Sequence, residues 1–536
     1  MTEDVPKMLN LHFALRLAAF AVFAACFAFR AGDLPLADEV DFMKPIEAWV
    51  SGRPQIAGLW HAPFYPWFLS LAGKVVGFSP AVFRFIGFLT SIGAAIFVYK
   101  AARLVLPRLG EWPLTLLWGL TLLAPVTLGS ALLLDYDTTL LVVTTAFYFY
   151  LLVAHERKAL RYPILTFGAV IGLCLMSKET TPLVYPLGFW ILETPRRGVA
   201  RAFARAVLVG IVGVLVFLAL TWAWCLWFDL PLSAVFAMDL LGLKVHSAAT
   251  STVFLAQIWS KVFPAFWVSL PLMALFVWRL PRLWRLSASI RAITAVVIAV
   301  LLIYTFVLRQ MTYYFPKYMA PVLVWLPWLV FVSETWPAKA KLMSKTDRVM
   351  VGAILIWFLV FCEPLGVLHG RTLRELPGAL LPYLVPLAAV YALGLLRRSK
   401  ALRIEILIYV MALGASLAYC RDVLLTSKAV TYWYGEKALL EARETIGQWR
   451  SLNPNGAIYS PAKDIAFVTR EFGTKYVAMD PMLGLSEKLC AQRTPLLVVT
   501  RVREDNSILK ASQMAAYRSC LKLQQKTHII YGTNSR

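Results

Sequence analysis

Charge is scarce in this chain. Of its 536 residues only 15% are charged and 60% are hydrophobic, with a mean hydropathy of +0.67. Soluble domains are about a quarter charged and about half apolar. This shortage excludes an ordinary soluble globular protein and a disordered chain. Acidic residues are rarer still, 30 against 53 basic ones. Cysteine is sparse too: there are seven, and none has metal-site spacing, which excludes zinc-ribbon and zinc-finger architectures. Five of them (Cys26, Cys174, Cys225, Cys362 and Cys420) lie in or at apolar runs and are expected to pack as small hydrophobes. There is no internal repeat. No small-residue cleavage site follows the apolar stretch Leu11–Phe29, so it is expected to be a membrane span rather than a cleaved leader.

What the sequence has in abundance is apolar runs long enough to cross a hydrocarbon core of about 30 Å. They recur from Leu11 to Cys420 and then stop. In lipid the backbone must satisfy its own hydrogen bonds, so these runs are read as helices. The expected spans are roughly 11–29, 82–99, 113–133, 138–154, 162–177, 180–193, 206–228, 262–278, 292–308, 318–334, 349–368, 378–396 and 404–420, thirteen in all. The span 180–193 is the shortest and carries Pro182 and Pro186.

The formal net charge of +23 is not spread as a nucleic-acid surface would be. It sits in short clusters between apolar runs: Lys100, Arg103 and Arg108; Arg157, Lys158 and Arg161; Arg196, Arg197, Arg201 and Arg205. Arg279, Arg282, Arg285 and Arg291 follow, then Lys339, Lys341, Lys345 and Arg348, then Arg397, Arg398, Lys400 and Arg403. With thirteen spans every cluster falls on one side of the membrane, the pattern of the positive-inside rule. No nucleic-acid partner is expected. The N-terminus is expected in the cytoplasm and the tail outside, which in a bacterium means a multi-pass inner (plasma) membrane protein with a periplasmic C-terminal domain.

The expected fold is therefore an all-α transmembrane bundle over residues 1–426, with external connections 30–81 and 229–261, and a small extramembrane α/β domain over 427–536. Phe64–Val76 is apolar and aromatic and reads as an amphipathic helix on the membrane surface. In the tail, Lys437–Trp449 reads as an amphipathic helix. Ala457–Tyr459, Pro495–Thr500 and His528–Tyr531 read as strands. Cys490 and Cys520 are a candidate disulfide if the compartment is oxidising.

The polar residues of interest stand at the helix ends opposite the basic clusters. They are Asp38-Glu39 and Asp41, the segment Trp60-His61-Ala62-Pro63-Phe64-Tyr65, Asp135-Tyr136-Asp137, Ser177-Lys178-Glu179-Thr180, Lys244-Val245-His246, and Arg309 with Lys317-Tyr318. Each alone is an ordinary span-end residue, where charge costs little and lysine or arginine snorkels. Together they carry chemistry. Carboxylates with histidine act as general base or bind a divalent ion, and lysine and arginine hold phosphate. A reaction on a lipid-linked phosphate suits that set.

The order of these groups resembles the polytopic glycosyltransferases of the GT-C fold. It is most similar to the branch containing protein O-mannosyltransferases and the lipid A aminoarabinose transferase. Asp38-Glu39 matches that branch's acidic pair in the first external connection, and His61-Ala62-Pro63-Phe64-Tyr65 resembles its Pro-Pro-aromatic segment with one proline replaced. Asp135 or Asp137, Lys178, His246 and Lys317-Tyr318-Met319-Ala320-Pro321 follow in the branch's order. The resemblance covers about residues 10–420 and implies a polyprenyl-phosphate sugar as donor and inversion at the anomeric carbon. It implies Asp38 as general base, with Glu39 or Asp41 as alternatives. Lys178, Arg309 and Lys317, with Tyr318 and His61, would hold the donor phosphate. A divalent metal cation would be held by Asp137 and His246, with Asp135 the alternative to Asp137. The acceptor is left open among lipid, glycan and protein hydroxyls. The rival readings are a transporter or flippase, which needs charge at mid-membrane and usually repeats, and a non-catalytic scaffold.

Overall fold

The computed structural model describes residues 4–33, 38–52, 64–232, 269–307, 317–334, 345–362, 380–388, 404–425, 436–460, 476–478, 496–501 and 527–531. The chain divides into two compact units, residues 1–31 with 45–426, and residues 32–44 with 427–536.

The first unit is helical. Its elements are α1 (Asp4–Arg30), the end of α2 (Asp38–Val50), α3 (Phe64–Val76), α4 (Pro80–Val105), α5 (Glu111–Leu122), α6 (Pro125–Leu132), α7 (Leu140–Arg157), α8 (Pro163–Ser177), α9 (Tyr185–Arg197) and α10 (Val199–Trp227). Further along are α11 (Leu270–Leu283), α12 (Ala288–Leu302), α13 (Ala320–Leu323), α14 (Leu326–Val332), α15 (Lys345–Phe361), α16 (380–388) and α17 (Ile404–Leu425). Proline opens α4, α6 and α8, where its missing N–H would have no helical partner anyway.

Six of the described helices are long and apolar enough to cross a membrane: Leu11–Arg30, Pro80–Val105, Leu140–Arg157, Val199–Trp227, Ala288–Thr305 and Leu407–Leu425. Pro163–Ser177, Lys317–Val332 and Val349–Phe361 are shorter apolar stretches. Several expected spans are broken. The run 113–133 is α5 and α6 joined at a 45° bend, because Pro125 cannot donate to the preceding turn. The run 318–334 becomes a 3-10 turn (Lys317–Met319) followed by α13 and α14, with Pro321 and Pro327 early in the two short helices. The run 180–193 opens as a 3-10 turn at Thr181–Val184 before α9. The run 292–308 ends as a π-helical turn, Ile303–Val307. Asp38–Val50 is a helix, not a loop, and Phe64–Val76 is a helix as expected.

The tightest helix packing is between α8 and α10. A Cβ on Gly172 would stand 2.6 Å from Val216 Cγ1, and one on Gly213 would stand 2.8 Å from Ile171 Cγ2. Bare backbones let the two helices approach, the usual device where lipid removes the hydrophobic drive between helices. The opposite face of α10 exposes Val207, Ile211, Leu215 and Leu226, the composition of a surface that meets lipid.

Chain direction sorts the connections of this unit to two ends. At one end Arg157 Nη2 donates to Val105 O at 2.9 Å, Arg196 Nη2 to Glu156 O at 2.9 Å, and Ala288 N to Glu156 Oε1 at 2.8 Å. Here lie the basic connections 106–110, 158–162 and 284–287. The helices between them run to the other end, where residues 133–139, 178–184 and 303–307 turn back.

The second unit holds α18 (Glu436–Leu452) and a parallel four-stranded sheet in the order β2 (Tyr476–Ala478), β1 (Ala457–Ser460), β3 (Leu496–Arg501), β4 (Thr527–Tyr531). Ile458 pairs with both Tyr476 and Leu497, and Ile458 and Leu497 are fully buried. Parallel strands need long crossovers, which is consistent with the 17-residue interval between β2 and β3. The short strand β2 is the one the sequence reading did not anticipate. Cys490 and Cys520 lie outside the described residues.

Candidate functional site

The far end of the helical unit is built around the connection between α6 and α7. Leu133 is extended, and Asp135 then folds the chain back. Its Oδ1 accepts from Asp137 N at 3.0 Å, and its carbonyl accepts from Thr138 N and Thr139 N, each at 3.3 Å. Thr138 Oγ1 donates to Leu133 O at 3.1 Å. Aspartate and threonine are suited to this because their short side chains bond nearby backbone. The turn can therefore be buried without orphaned amides: Asp135, Tyr136, Asp137, Thr138 and Thr139 are all buried. From α3, Tyr65 packs its ring 4.6 Å from that of Tyr136, and its hydroxyl lies 3.4 Å from Thr139 Oγ1.

Two lysines from distant segments reach this turn. Lys178 follows α8 directly, and its extended backbone (φ −156°, ψ 130°) ends the helix. Its Nζ faces Asp137 Oδ2 at 3.1 Å. Lys317, on the 3-10 turn ahead of α13, donates from Nζ to Asp135 Oδ2 at 2.7 Å. All four side chains are buried, with Asp137 at 0% exposure and none above 5%. The Tyr318 ring lies under both ammonium groups, with Lys317 Nζ 5.0 Å and Lys178 Nζ 5.3 Å from its centroid, a cation–π arrangement. Tyr304, from the π-helical turn after α12, stacks on Tyr318 at 5.5 Å and 10°. Its hydroxyl shares hydrogen bonds with Thr180 Oγ1 at 2.8 Å and Thr181 Oγ1 at 2.6 Å.

Burial disfavours a carboxylate anion, and it pushes the Asp137 carboxyl up to about 7, with Asp135 adding and Lys178 and Lys317 opposing. Burial works against the Lys178 ammonium as well, but Asp137, Tyr318 and Asp135 more than offset it, so the lysine stays charged. The result is two buried cations, each held by its own carboxylate. Asp137 Oδ1 accepts no hydrogen bond among the described residues.

Thus Asp135, Asp137, Lys178, Lys317 and Tyr318, expected from sequence to share a site, come together. Their pairing is more specific than expected: the two aspartates, read as metal ligands, each face a lysine. Among the described residues no three His, Cys, Asp or Glu side chains stand together as a metal site. Asp137 Oδ1 is a single uncommitted donor, whereas zinc takes about four ligands and calcium about six to eight. The described residues do not fit a metal, and no step below runs through one. His246, the other expected ligand, lies outside the described residues, as do His61 and Arg309. Asp38 is the first residue of α2, with its side chain outside the described set, as is that of Asp41. Glu39 is buried, and residues 32–44 belong to the second unit. Tyr304 and Thr181 were missed, whereas Tyr65 and Thr180 stood in segments already singled out, 60–65 and 177–180, without a role of their own. Thr180 and Thr181 had a signal in following Lys178-Glu179, whereas Tyr304 reads as one more aromatic near a span end.

Residues 60–227 match the family described as dolichyl-phosphate-mannose-protein mannosyltransferase. No curated protein sequence matches the chain. Among solved structures, ArnT from Cupriavidus metallidurans in the apo state is similar, with a TM-score of 0.54 at 16% identity over 98% of this chain and 90% of that one. The same protein bound to undecaprenyl phosphate gives a TM-score of 0.54 at 15% identity, with the same coverage of both chains. The matched family segment carries Asp135, Asp137 and Lys178, and the structural likeness extends the fold across the bundle. The chain is a multi-pass membrane glycosyltransferase of the GT-C fold, resembling the branch of protein O-mannosyltransferases and the lipid A aminoarabinose transferase.

Proposed function

We propose that this protein moves one sugar from a polyprenyl-phosphate donor to an acceptor hydroxyl, with inversion, at the membrane face opposite the basic clusters. The observation that carries this reading is the convergence of Lys178 and Lys317 on one buried turn, each ammonium held by its own aspartate. The binding of undecaprenyl phosphate by the similar ArnT supports the class of donor.

The chemistry explains why two buried cations are useful. The acceptor oxygen forms a bond to the anomeric carbon while the bond from that carbon to the phosphate oxygen breaks. The electron pair leaves on phosphate, and a phosphodiester with one negative charge becomes a monoester with nearly two. Lys178 and Lys317 therefore attract the transition state more strongly than the donor, which is what accelerates a reaction. The leaving group is already a stable anion, so no general acid is required. The acceptor proton goes to a carboxylate, and Asp38 takes that role in this reading, with Glu39 next to it. Asp135 and Asp137 keep the two lysines protonated and aimed. Arg309 and His61 complete the phosphate contacts. The site lies on the periplasmic side of a bacterial inner membrane, with the N-terminus in the cytoplasm. The acceptor is a lipid, glycan or protein hydroxyl.

The test is incubation of the purified protein with radiolabelled polyprenyl-phosphate sugars and membrane extract, with and without chelator. Label should pass to an acceptor, and Asp38→Asn should abolish the transfer without unfolding the protein. A flippase or scaffold tolerates that substitution. Activity undiminished by chelator removes a metal held by Asp137 and His246 and leaves the rest standing.

A further inference from the structure

We infer that Tyr304 is a positioning residue that sets both phosphate-binding lysines at once. The inference rests on the reading of Lys178 and Lys317 as donor-phosphate ligands and goes beyond it by naming the group that aims them.

Lys178 and Lys317 lie 139 positions apart in sequence and on separate turns. Tyr304 touches both turns. Its hydroxyl lies between Thr180 Oγ1 (2.8 Å) and Thr181 Oγ1 (2.6 Å), two and three residues after Lys178, where α8 has ended and the 3-10 turn is starting. That stretch needs an anchor from outside, because a helix end frays without one. The ring of Tyr304 lies flat on Tyr318, at 10° between planes, and Tyr318 neighbours Lys317 and carries both ammonium groups over its ring. One side chain therefore fixes the Lys178 turn through its hydroxyl and the Lys317 turn through its face. Tyr304 is itself 1% exposed and stands in a π-helical turn, a local distortion frequent at functional sites. The π turn offsets the helix register at the residue that must reach sideways to two turns. Tyr304 touches neither substrate nor reacting atom in this scheme.

The test uses the full-length protein in detergent or nanodiscs, with polyprenyl phosphate as the binding probe and transfer kinetics alongside. Tyr304→Phe removes the hydroxyl and keeps the ring. Each neutral hydrogen bond is worth about 0.5–1.5 kcal/mol, so polyprenyl phosphate should bind about 3- to 10-fold more weakly, with donor KM rising and the melting temperature nearly unchanged. Tyr304→Leu also removes the stack and should weaken binding further, to about 10- to 100-fold in all. Because the hydroxyl acts through the threonines, Tyr304→Phe combined with Thr181→Val should bind no worse than Tyr304→Phe alone. Lys178→Gln and Lys317→Gln form the control arm. If both leave polyprenyl phosphate binding intact, the donor-site reading itself fails. If both abolish it while Tyr304→Phe and Tyr304→Leu keep wild-type affinity and KM, the positioning role is overturned. A lowered melting temperature with unchanged affinity likewise reduces Tyr304 to a packing residue.

Discussion

The ion pair between Lys317 and Asp135 allows stability and donor binding to be separated by one set of variants. The pair is 2.7 Å long, with 4% and 1% side-chain exposure, so solvent does little to screen it. Lys317→Met keeps most of the stem and deletes the charge, leaving Asp135 buried without this partner. Breaking a buried pair by removing one member costs about 3–5 kcal/mol, because a charge is left uncompensated. Replacing both members with neutral groups avoids that penalty. Lys317→Met combined with Asp135→Asn should therefore recover most of the lost stability, the more so because asparagine keeps a side-chain oxygen for Asp137 N. Donor binding should not recover. A charge-assisted hydrogen bond is worth about 1.5–3 kcal/mol, so both the single and the double variant should bind polyprenyl phosphate about 10- to 100-fold more weakly than wild type. Melting curves and equilibrium binding on the same preparations read the two quantities. A single variant as stable as wild type refutes the buried pair, and a double variant that binds normally refutes Lys317 as a phosphate ligand.

Burial raises the Asp137 carboxyl from an ordinary value near 4 to about 7. A carboxyl raised on folding favours the protonated form, so its contribution is complete below about pH 4 and disappears as pH rises through 7. Wild type should lose stability between about pH 4 and 7, by up to roughly 4 kcal/mol, and the same titration of Asp137→Asn should be flatter; equal slopes remove Asp137 as the cause. Gly172→Leu places a side chain where Val216 Cγ1 already lies 2.6 Å from the site of a Cβ, so α8 and α10 must separate; we expect a lower melting temperature and transfer reduced at least tenfold, and wild-type behaviour on both counts would show that the contact yields freely. Gly456→Ala should destabilise the C-terminal unit, since its Cβ would meet the Trp449 ring at 2.2 Å; an unchanged proteolysis pattern of that unit would contradict this packing.

Much of the architecture could be read from sequence because the membrane is a severe solvent. Apolar run length and loop charge sign reported the helices and sorted their ends, and the apolar run of Pro495–Thr500, ending in the β-branched Val498, Val499 and Thr500, reported a strand. Where the reading failed, local chemistry overrode the average. Pro125, Pro321 and Pro327 break runs that hydropathy alone makes continuous, and the segment carrying Asp38 is helical although its charge density suggests a loop. The site was legible in part. Its aspartates and lysines stand out because charge near an apolar run needs a reason, and their common end followed from counting spans. The pairing was not legible: which lysine meets which aspartate is decided by the fold of residues 133–139, and no spacing encodes it. Tyr304 was invisible for a related reason. A tyrosine near a span end is ordinary, and only its contacts with Thr180, Thr181 and Tyr318 distinguish it.

The central claim is that Lys178 and Lys317 stabilise the phosphate that leaves during sugar transfer. The most direct measurement is single-turnover transfer from a labelled polyprenyl-phosphate sugar to membrane-extract acceptor, comparing wild type with Lys178→Gln at saturating donor. Slowing by about 100-fold or more at saturation, with the melting temperature of a folded protein, is the predicted result, because the charge that Lys178 meets grows only as the bond breaks. Equal single-turnover rates would contradict it.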